Sequence, residues 1–234
     1  MFLVLSGEGP SDIGIQDDKI GPMTKLIDQW IIRRSHYSLI ECEQYTIFQK
    51  EQLAKKAKTL KSFSGKKQEK ETGYFFKNAR ALALLAKEES SKRNDITVII
   101  VLFRDADGTA SSGRGEWQKK WQSMLDGFEI EKMLNGVPMI PKPKSEAWIL
   151  CALREKYQNC RTLEDESGND ISKNSLKKQL AKHLGKDATR ELINQKIDEG
   201  QIDIAQIVDM SSLTQFKDRL DKVLDNLKLP KAFL

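Results

Sequence analysis

The stretch ITVIIVLFRDADG, residues 96–108, decides the fold class of this chain. Its first eight residues are apolar or β-branched without alternation, which is typical of a central strand covered on both faces. Two aspartates, Asp105 and Asp107, follow this run almost at once. The stretch therefore predicts a buried strand in the middle of a parallel sheet, with acidic side chains at its carboxyl end.

Shorter strands are predicted on both sides of this central strand. Residues 2–5 are an apolar run that ends in a glycine-rich turn, and residues 38–48 mix β-branched and aromatic residues. Residues 137–140 are interrupted and followed by prolines, which places them at an edge of the sheet or beside a cleft. The sheet is expected to be mainly parallel because helical segments separate the strands.

Apolar residues at helical spacing predict helices between these strands and after them. In the first part of the chain, helices begin at Pro22 and near residue 50, one covers residues 75–87, and further helices begin after residue 115 and around residues 145–146. In the last part they cover residues 176–184, 188–197, 202–208 and 213–227. The expected fold is an α/β domain over residues 1–158, its sheet flanked by helices, with a helical C-terminal extension over residues 159–234 packed on it.

Composition excludes several classes of protein. The 234 residues are 39% apolar and 31% charged, which is typical of a globular domain rather than a disordered chain. No apolar run approaches the ~20 residues that span a bilayer, and no basic segment typical of a secretory signal precedes residues 2–5. We therefore expect a cytoplasmic protein with no membrane partner. Cys42, Cys151 and Cys160 form no CxxC pair, so we expect reduced thiols rather than a zinc site or a disulfide.

Acidic residues follow the ends of three predicted strands. Glu8 comes after the first, Asp105 and Asp107 after the central one, and Glu146 just beyond the strand at 137–140. Because ligands of open α/β sheets bind beyond the carboxyl ends of the strands, we expect these side chains to converge. Converging carboxylates repel one another unless cations neutralise them, and hard oxygen ligands suit Mg²⁺ or Mn²⁺. The alternative for any single one is a turn former or a helix cap.

Three motifs together resemble the topoisomerase–primase, or TOPRIM, domain. They are LVLSGEGPSD at 3–12, VIIVLFRDADG at 98–108 and MIPKPKSEAWIL at 139–150. Within that superfamily the chain is most similar to small stand-alone TOPRIM proteins related to the overcoming-lysogenization-defect nucleases, many of which belong to bacterial anti-phage systems. The resemblance covers roughly residues 2–155 and implies a metal-dependent nuclease that uses a two-metal mechanism.

The resemblance also implies roles for individual residues. Glu8 and Asp12 match its first motif, Asp105 and Asp107 its Asp-x-Asp motif, and Glu146 its later acid, so these five are the expected metal ligands. Glu8 is also the candidate for proton transfer. Ser145, next to Glu146, departs from the commoner Ser-x-Glu spacing of that family.

A lysine assists the chemistry of that family, and either Lys142 or Lys144 can take this part. The sequence does not choose between them. We place Lys144 with the catalytic candidates and Lys142 with the nucleic-acid-binding ones. The expected partners are nucleic acid, DNA rather than RNA, and an ATPase or other defence-system protein, and a homo-oligomer is compatible with the sequence.

A basic run lies within residues 50–70 of a chain whose net charge is +5. Lys61, Lys66 and Lys67 in this run are candidate phosphate contacts for nucleic acid. The alternative is a solvated helix face followed by a basic loop.

Two rival functions stay open. Asp105-Ala106-Asp107-Gly108-Thr109 also resembles the first motif of haloacid-dehalogenase-like phosphatases, in which Asp105 would be the nucleophile. That motif usually opens its domain, and it would leave Glu8 unexplained. A non-catalytic TOPRIM regulatory subunit is the other alternative.

Overall fold

Four parallel strands form the sheet at the centre of the protein. The computed structural model describes residues 1–16, 18–60, 70–106, 116–154 and 159–227. The strands are β1 (Phe2–Ser6), β2 (Tyr45–Phe48), β3 (Val98–Phe103) and β4 (Gly136–Met139), in the order β2-β1-β3-β4. Each neighbouring pair is parallel. The predicted α/β class with a parallel sheet is confirmed.

Strand β3 is a central strand, as predicted, and every one of its residues is buried. It pairs with β1 in a register that sets Ser6 beside Leu102, and with β4 on its other side. Strand β4 lies at an edge, which agrees with its prolines. Both β1 and β3 therefore end at the same edge of the sheet, which we call the carboxyl edge.

Strand β2 is shorter than the predicted 38–48 because the Asp28 side chain forms hydrogen bonds with residues 38 and 39, which precede the strand. Asp28 accepts hydrogen bonds from Ser38 Oγ at 2.6 Å and from the Leu39 N–H at 2.9 Å. Residues 39–43 then form turns, and the strand begins only at Tyr45.

Helices flank the sheet in the first part of the chain. They are α1 (Pro10–Ile13), α2 (Pro22–Ser35), α3 (Lys50–Lys58), α4 (Lys70–Lys92), α5 (Trp117–Ile130) and α6 (Ser145–Leu153). Helix α4 is longer than the predicted 75–87, because apolar periodicity marks only the part of a helix that packs on the core. The predicted start of α6 at Ser145 is confirmed.

The described residues of the C-terminal part form a 3₁₀ segment and three α-helices. They are the 3₁₀ segment Cys160–Asp165, α7 (Leu176–Leu184), α8 (Arg190–Asp198) and α9 (Ser211–Asn226). The predicted helix at 202–208 is wrong. Its backbone bonds to α2 instead: Gln29 Nε2 donates to Ile202 O and the Ile204 N–H donates to Gln29 Oε1, both at 3.2 Å.

The C-terminal helices pack directly on the sheet domain. Helix α7 contacts α6, α8 contacts α2, and α9 contacts β4 and α2. Polar contacts supplement this packing: Trp30 Nε1 donates to Asp221 at 2.8 Å, and Lys25 pairs with Asp198 at 2.5 Å. One hydrophobic core contains buried apolar residues from both parts. Within the described ranges, no helix is both long and apolar enough to cross a membrane.

A disulfide joins Cys151 near the end of α6 to Cys160, with 5.5 Å between their Cα atoms. The expectation of three reduced thiols is therefore wrong for these two, and only Cys42 is a free thiol. The chain leaves α6 and returns to it within nine residues, so the fold itself brings the two cysteines together without a CxxC spacing.

Candidate active site

Four of the predicted acidic residues meet at the carboxyl edge of the sheet. Glu8 follows β1, Asp12 lies in the short helix α1, Asp105 follows β3, and Glu146 lies in the first turn of α6. All four side chains are partly buried. We call these four residues the acidic cluster.

Asp105 is the centre of the acidic cluster. Its Oδ1 accepts a hydrogen bond of 3.0 Å from the backbone N–H of Ser145, which is free because it belongs to the first turn of α6. Burial raises the pKa of Asp105 well above its ordinary value, and the charges of Glu8, Glu146 and Asp12 raise it further. The fold has therefore brought together carboxylates that lie as far as 138 positions apart in the sequence.

Asp12 joins the cluster through the same serine. Ser145 Oγ lies 3.4 Å from Asp12 Oδ1, and Ser11 Oγ donates to Asp12 Oδ2 at 3.2 Å. Burial raises the pKa of Asp12 to about 6, with smaller contributions from Glu146 and Glu8. Ser145 thus contacts two acids at once. The sequence offered one signal for it, its place at the start of a helix beside Glu146, but the spacing argued against it.

Buried polar atoms without partners concentrate near this cluster. In the described part of the chain, such atoms occur in four residues: Ser6, Arg104, Glu146 and Asn194. The first three lie at the carboxyl edge. Buried polar groups are nearly always hydrogen-bonded in native proteins, so an accumulation of unpartnered ones marks a place where a ligand, an ion or water supplies the missing contacts.

The two candidate lysines have different surroundings. Burial alone would lower the pKa of the Lys144 ammonium, but Asp170, 2.9 Å away, raises it together with Glu146 and Asp105. Lys142 instead lies 3.8 Å from Asp165. It lines an open groove of about 880 Å³ whose lining includes no member of the acidic cluster. The structure therefore favours Lys144 as the lysine of this site.

One basic residue at the site was not anticipated from the sequence. The Nη1 atom of Arg190, at the start of α8, lies 3.4 Å from Pro10 O. Pro10 lies between Glu8 and Asp12 in the sequence. The C-terminal part therefore contributes to the carboxyl edge through Arg190 and Asp170. No local pattern marks either residue, because their proximity arises only from the docking of the C-terminal part.

The donor set of the acidic cluster suits Mg²⁺ or Mn²⁺ in its chemistry, since every donor is a carboxylate oxygen. The buried Oε2 of Glu146, which has no hydrogen-bond partner in the described structure, fits the same role. As placed, no three His, Cys, Asp or Glu side chains among the described residues form a group that could hold one ion. The predicted ligand Asp107 lies outside the described residues, as do Lys61, Lys66 and Lys67.

No protein-family model, no curated protein and no solved structure matches the chain. Membership of the TOPRIM group therefore stays a prediction from the three sequence motifs. The function is argued below from the acidic cluster and its neighbours.

Proposed function

We propose that this protein is a metal-dependent nuclease of the TOPRIM type, which hydrolyses phosphodiester bonds in nucleic acid, DNA rather than RNA. One observation carries the proposal: Ser145 contacts both Asp105 and Asp12, and Glu8 and Glu146 lie near enough to raise the pKa of Asp105 by their charges. Such an arrangement destabilises the protein by itself, and bound divalent cations remove the repulsion. Because the repulsion lowers the stability of the metal-free protein, a metal-binding role explains the cluster better than turn formation does.

We assign separate proposed roles to the residues at this site. Glu8, Asp12, Asp105, Asp107 and Glu146 are the proposed ligands of Mg²⁺ or Mn²⁺, and such ions activate water and stabilise the leaving oxygen. Ser145 holds Asp105 in place through its backbone N–H and reaches Asp12 through its hydroxyl. Glu8, partly exposed at the edge, is the group proposed to accept a proton from the attacking water.

Lys144 is the proposed cation that meets the phosphate beside these ligands. Its ammonium interacts with Asp105 and Glu146, and Asp170 holds it at 2.9 Å. A lysine presents a compact charge with three donors, which suits contact with a phosphate oxygen. Lys61, Lys66, Lys67 and Lys142 are proposed to contact more distant phosphates. Each such contact adds about 0.7–0.9 to the slope of log affinity against log salt concentration.

The place of the Asp-x-Asp motif in the chain counts against the phosphatase alternative. In haloacid-dehalogenase-like phosphatases this motif usually opens the domain, whereas here it follows β3 rather than β1. That alternative also gives no role to Glu8, which interacts with Asp105. An ATPase or other defence-system partner, suggested by the sequence resemblance, is part of the proposal as a regulator of the nuclease.

The test is cleavage of duplex DNA, single-stranded DNA and RNA with Mg²⁺ or Mn²⁺. The wild-type protein is expected to cleave DNA, and Asp105→Asn should lower the rate at least about 100-fold, since it removes a metal ligand. Asp95→Asn is the matched control, because Asp95 precedes β3 at the opposite edge of the sheet. This control should cleave like the wild type.

Manganese binding gives a second readout that does not depend on substrate or on a partner protein. Calorimetric titration should show saturable binding of Mn²⁺ to the wild type and to Asp95→Asn, and much weaker binding to Asp105→Asn. Saturable binding without cleavage of any nucleic acid would favour the regulatory subunit. Hydrolysis of a phosphomonoester with phosphorylation of Asp105 would establish the phosphatase instead.

A further inference from the structure

Arg104, between β3 and Asp105, is a buried cation with unused hydrogen-bonding capacity. Its side chain has no exposed surface, and Nη1 donates to Phe103 O at 2.7 Å. Nε and Nη2 have no hydrogen-bond partner in the described structure. A hydrogen bond to a charged group contributes more to stability than one between neutral groups. Leaving two guanidinium nitrogens without a partner therefore has a substantial free-energy cost.

The position of Arg104 connects it to the acidic cluster. Successive side chains of a strand point to opposite faces, so Arg104 and Asp105 lie on opposite faces of the sheet. Asp105 meets α6 through Ser145, whereas the Arg104 guanidinium lies 5.9 Å from the Tyr74 ring of α4. Burial lowers the pKa of Arg104, whereas a side-chain hydrogen bond with Tyr74 and the charges of Tyr74 and Glu8 raise it, and Glu8 is the carboxylate among these partners. Glu8 therefore lies within reach of both faces.

Ser6, the last residue of β1, supplies a further donor on the same face as Arg104. The register sets Ser6 beside Leu102, two residues before Arg104, and paired residues of parallel strands point to the same face. Ser6 is fully buried, and its Oγ also has no partner in the described structure. Two unpartnered guanidinium donors and one hydroxyl therefore lie on one face of the carboxyl edge.

A tetrahedral oxyanion is the ligand that this set of groups fits. The planar guanidinium presents Nε and Nη2 side by side, a fork that matches two oxygens of a phosphate group. Water would satisfy the donors but would leave the buried positive charge with Tyr74 and one carboxylate, Glu8, which also faces the other acids. A phosphate satisfies both the donors and the charge.

We propose that Arg104, together with Ser6, binds a phosphate oxyanion, and that this phosphate belongs to the nucleic-acid substrate. The anion site does not depend on the proposed nuclease, whereas the identity of the substrate rests on it. Because Arg104 is enclosed, its guanidinium must turn toward the edge to meet the phosphate. That rotation would break the hydrogen bond from Nη1 to Phe103 O and the contact with Tyr74.

The anion site is tested with inorganic phosphate and metal-free protein in EDTA, at constant ionic strength, by calorimetry or ³¹P line broadening. Arg104→Met should weaken phosphate binding at least about tenfold, because it removes charge and fork together. Arg104→Lys keeps the charge but not the fork and should give an intermediate affinity. The matched control is Arg93→Met, since Arg93 lies over the Phe2 ring at the other end of β1. This control should bind like the wild type.

The source of the phosphate is tested by competition. A DNA oligonucleotide should displace inorganic phosphate from the wild type, and Arg104→Met should weaken oligonucleotide binding in EDTA as well. Phosphate binding that the oligonucleotide does not compete with would identify a site for free phosphate and overturn the assignment to substrate. Displacement by acetate at equal concentration would indicate a carboxylate site and overturn the proposal.

Other results would also contradict the anion site. The proposal fails if the wild type does not bind phosphate, or if Arg104→Met binds it as the wild type does. Circular dichroism checks the fold of each variant, and if Arg104→Met does not fold, Arg104→Lys and Ser6→Ala must each weaken binding. Asp105→Asn should still bind phosphate. Arg104-dependent binding by a protein that cleaves nothing would refute the nuclease and leave the anion site standing.

Discussion

Replacing Asp12 by asparagine should stabilise the metal-free protein at neutral pH and not at acid pH. The pKa of Asp12 is raised from 3.8 to about 6, chiefly by burial. Between these two values the folded protein retains a proton that the unfolded chain has released. Stability therefore falls as the pH rises through this window, and the full cost is reached above pH 6. Asparagine has a similar shape and does not titrate, so the variant lacks this cost.

The size of the effect follows from the shift of the pKa. A difference of about 2 pH units corresponds to about 3 kcal/mol, of which about 2 kcal/mol develops between pH 4.5 and pH 7.5. Asparagine keeps one oxygen for Ser145 Oγ but loses the acceptor for Ser11 Oγ, which costs about 1 kcal/mol at every pH. For a chain of this size, a change of 2 kcal/mol corresponds to a melting-temperature difference of about 4–8 °C.

The assay is urea unfolding in EDTA at pH 4.5, 6 and 7.5, with circular dichroism as the readout. It compares the wild type, Asp12→Asn and Asp187→Asn. Asp187 is an exposed aspartate, so its variant controls for the loss of one charge. The free energy of unfolding of Asp12→Asn minus that of the wild type should rise by about 2 kcal/mol across this range. A difference that stays constant with pH would refute the argument that burial and carboxylate repulsion destabilise ionised Asp12.

Two further predictions concern the lysines and the disulfide. Lys144→Met should lower the cleavage rate at least about tenfold, because Lys144 interacts with Asp105 and Glu146. Lys142→Met should change the rate less than about threefold, because Lys142 pairs with Asp165. Equal losses of the two variants in steady-state assays would contradict this. Cys160→Ser should lower the free energy of unfolding by about 2–3 kcal/mol without reductant, because the disulfide with Cys151 closes a short loop in the unfolded chain. Urea unfolding with and without reductant checks this, and a reductant that does not affect the wild type would contradict it.

Local signals in the sequence were sufficient for most of the fold. The uninterrupted apolar run before Arg104 predicted a central strand, and the prolines around residues 138–143 predicted an edge strand. The start of α6 at Ser145 and the bounds of α7 were also predicted correctly. The strand order agrees with one expectation: the acids after β1 and β3 were expected to converge, and these two strands are neighbours.

Predictions failed where a contact from a distant part of the chain replaced a local one. Residues 202–208 have helical spacing, but Gln29 takes the backbone hydrogen bonds that a helix would have used. The composition of residues 38–44 favours a strand, but Asp28 accepts hydrogen bonds from Ser38 and Leu39 and these residues form turns instead. Neither partner lies near enough in the sequence for periodicity to reveal it.

The candidate site likewise has some features that local sequence predicts and others that depend on tertiary contacts. The amino-acid sequence was sufficient to show which acids follow the strands, because a strand and the residue after it are local features. Only the tertiary structure distinguished Lys144 from Lys142, since their partners Asp170 and Asp165 come from the C-terminal part. The unpartnered donors of Arg104 are likewise a property of the folded state alone. Whether a buried group has a partner depends on everything packed around it, and no stretch of sequence carries that information.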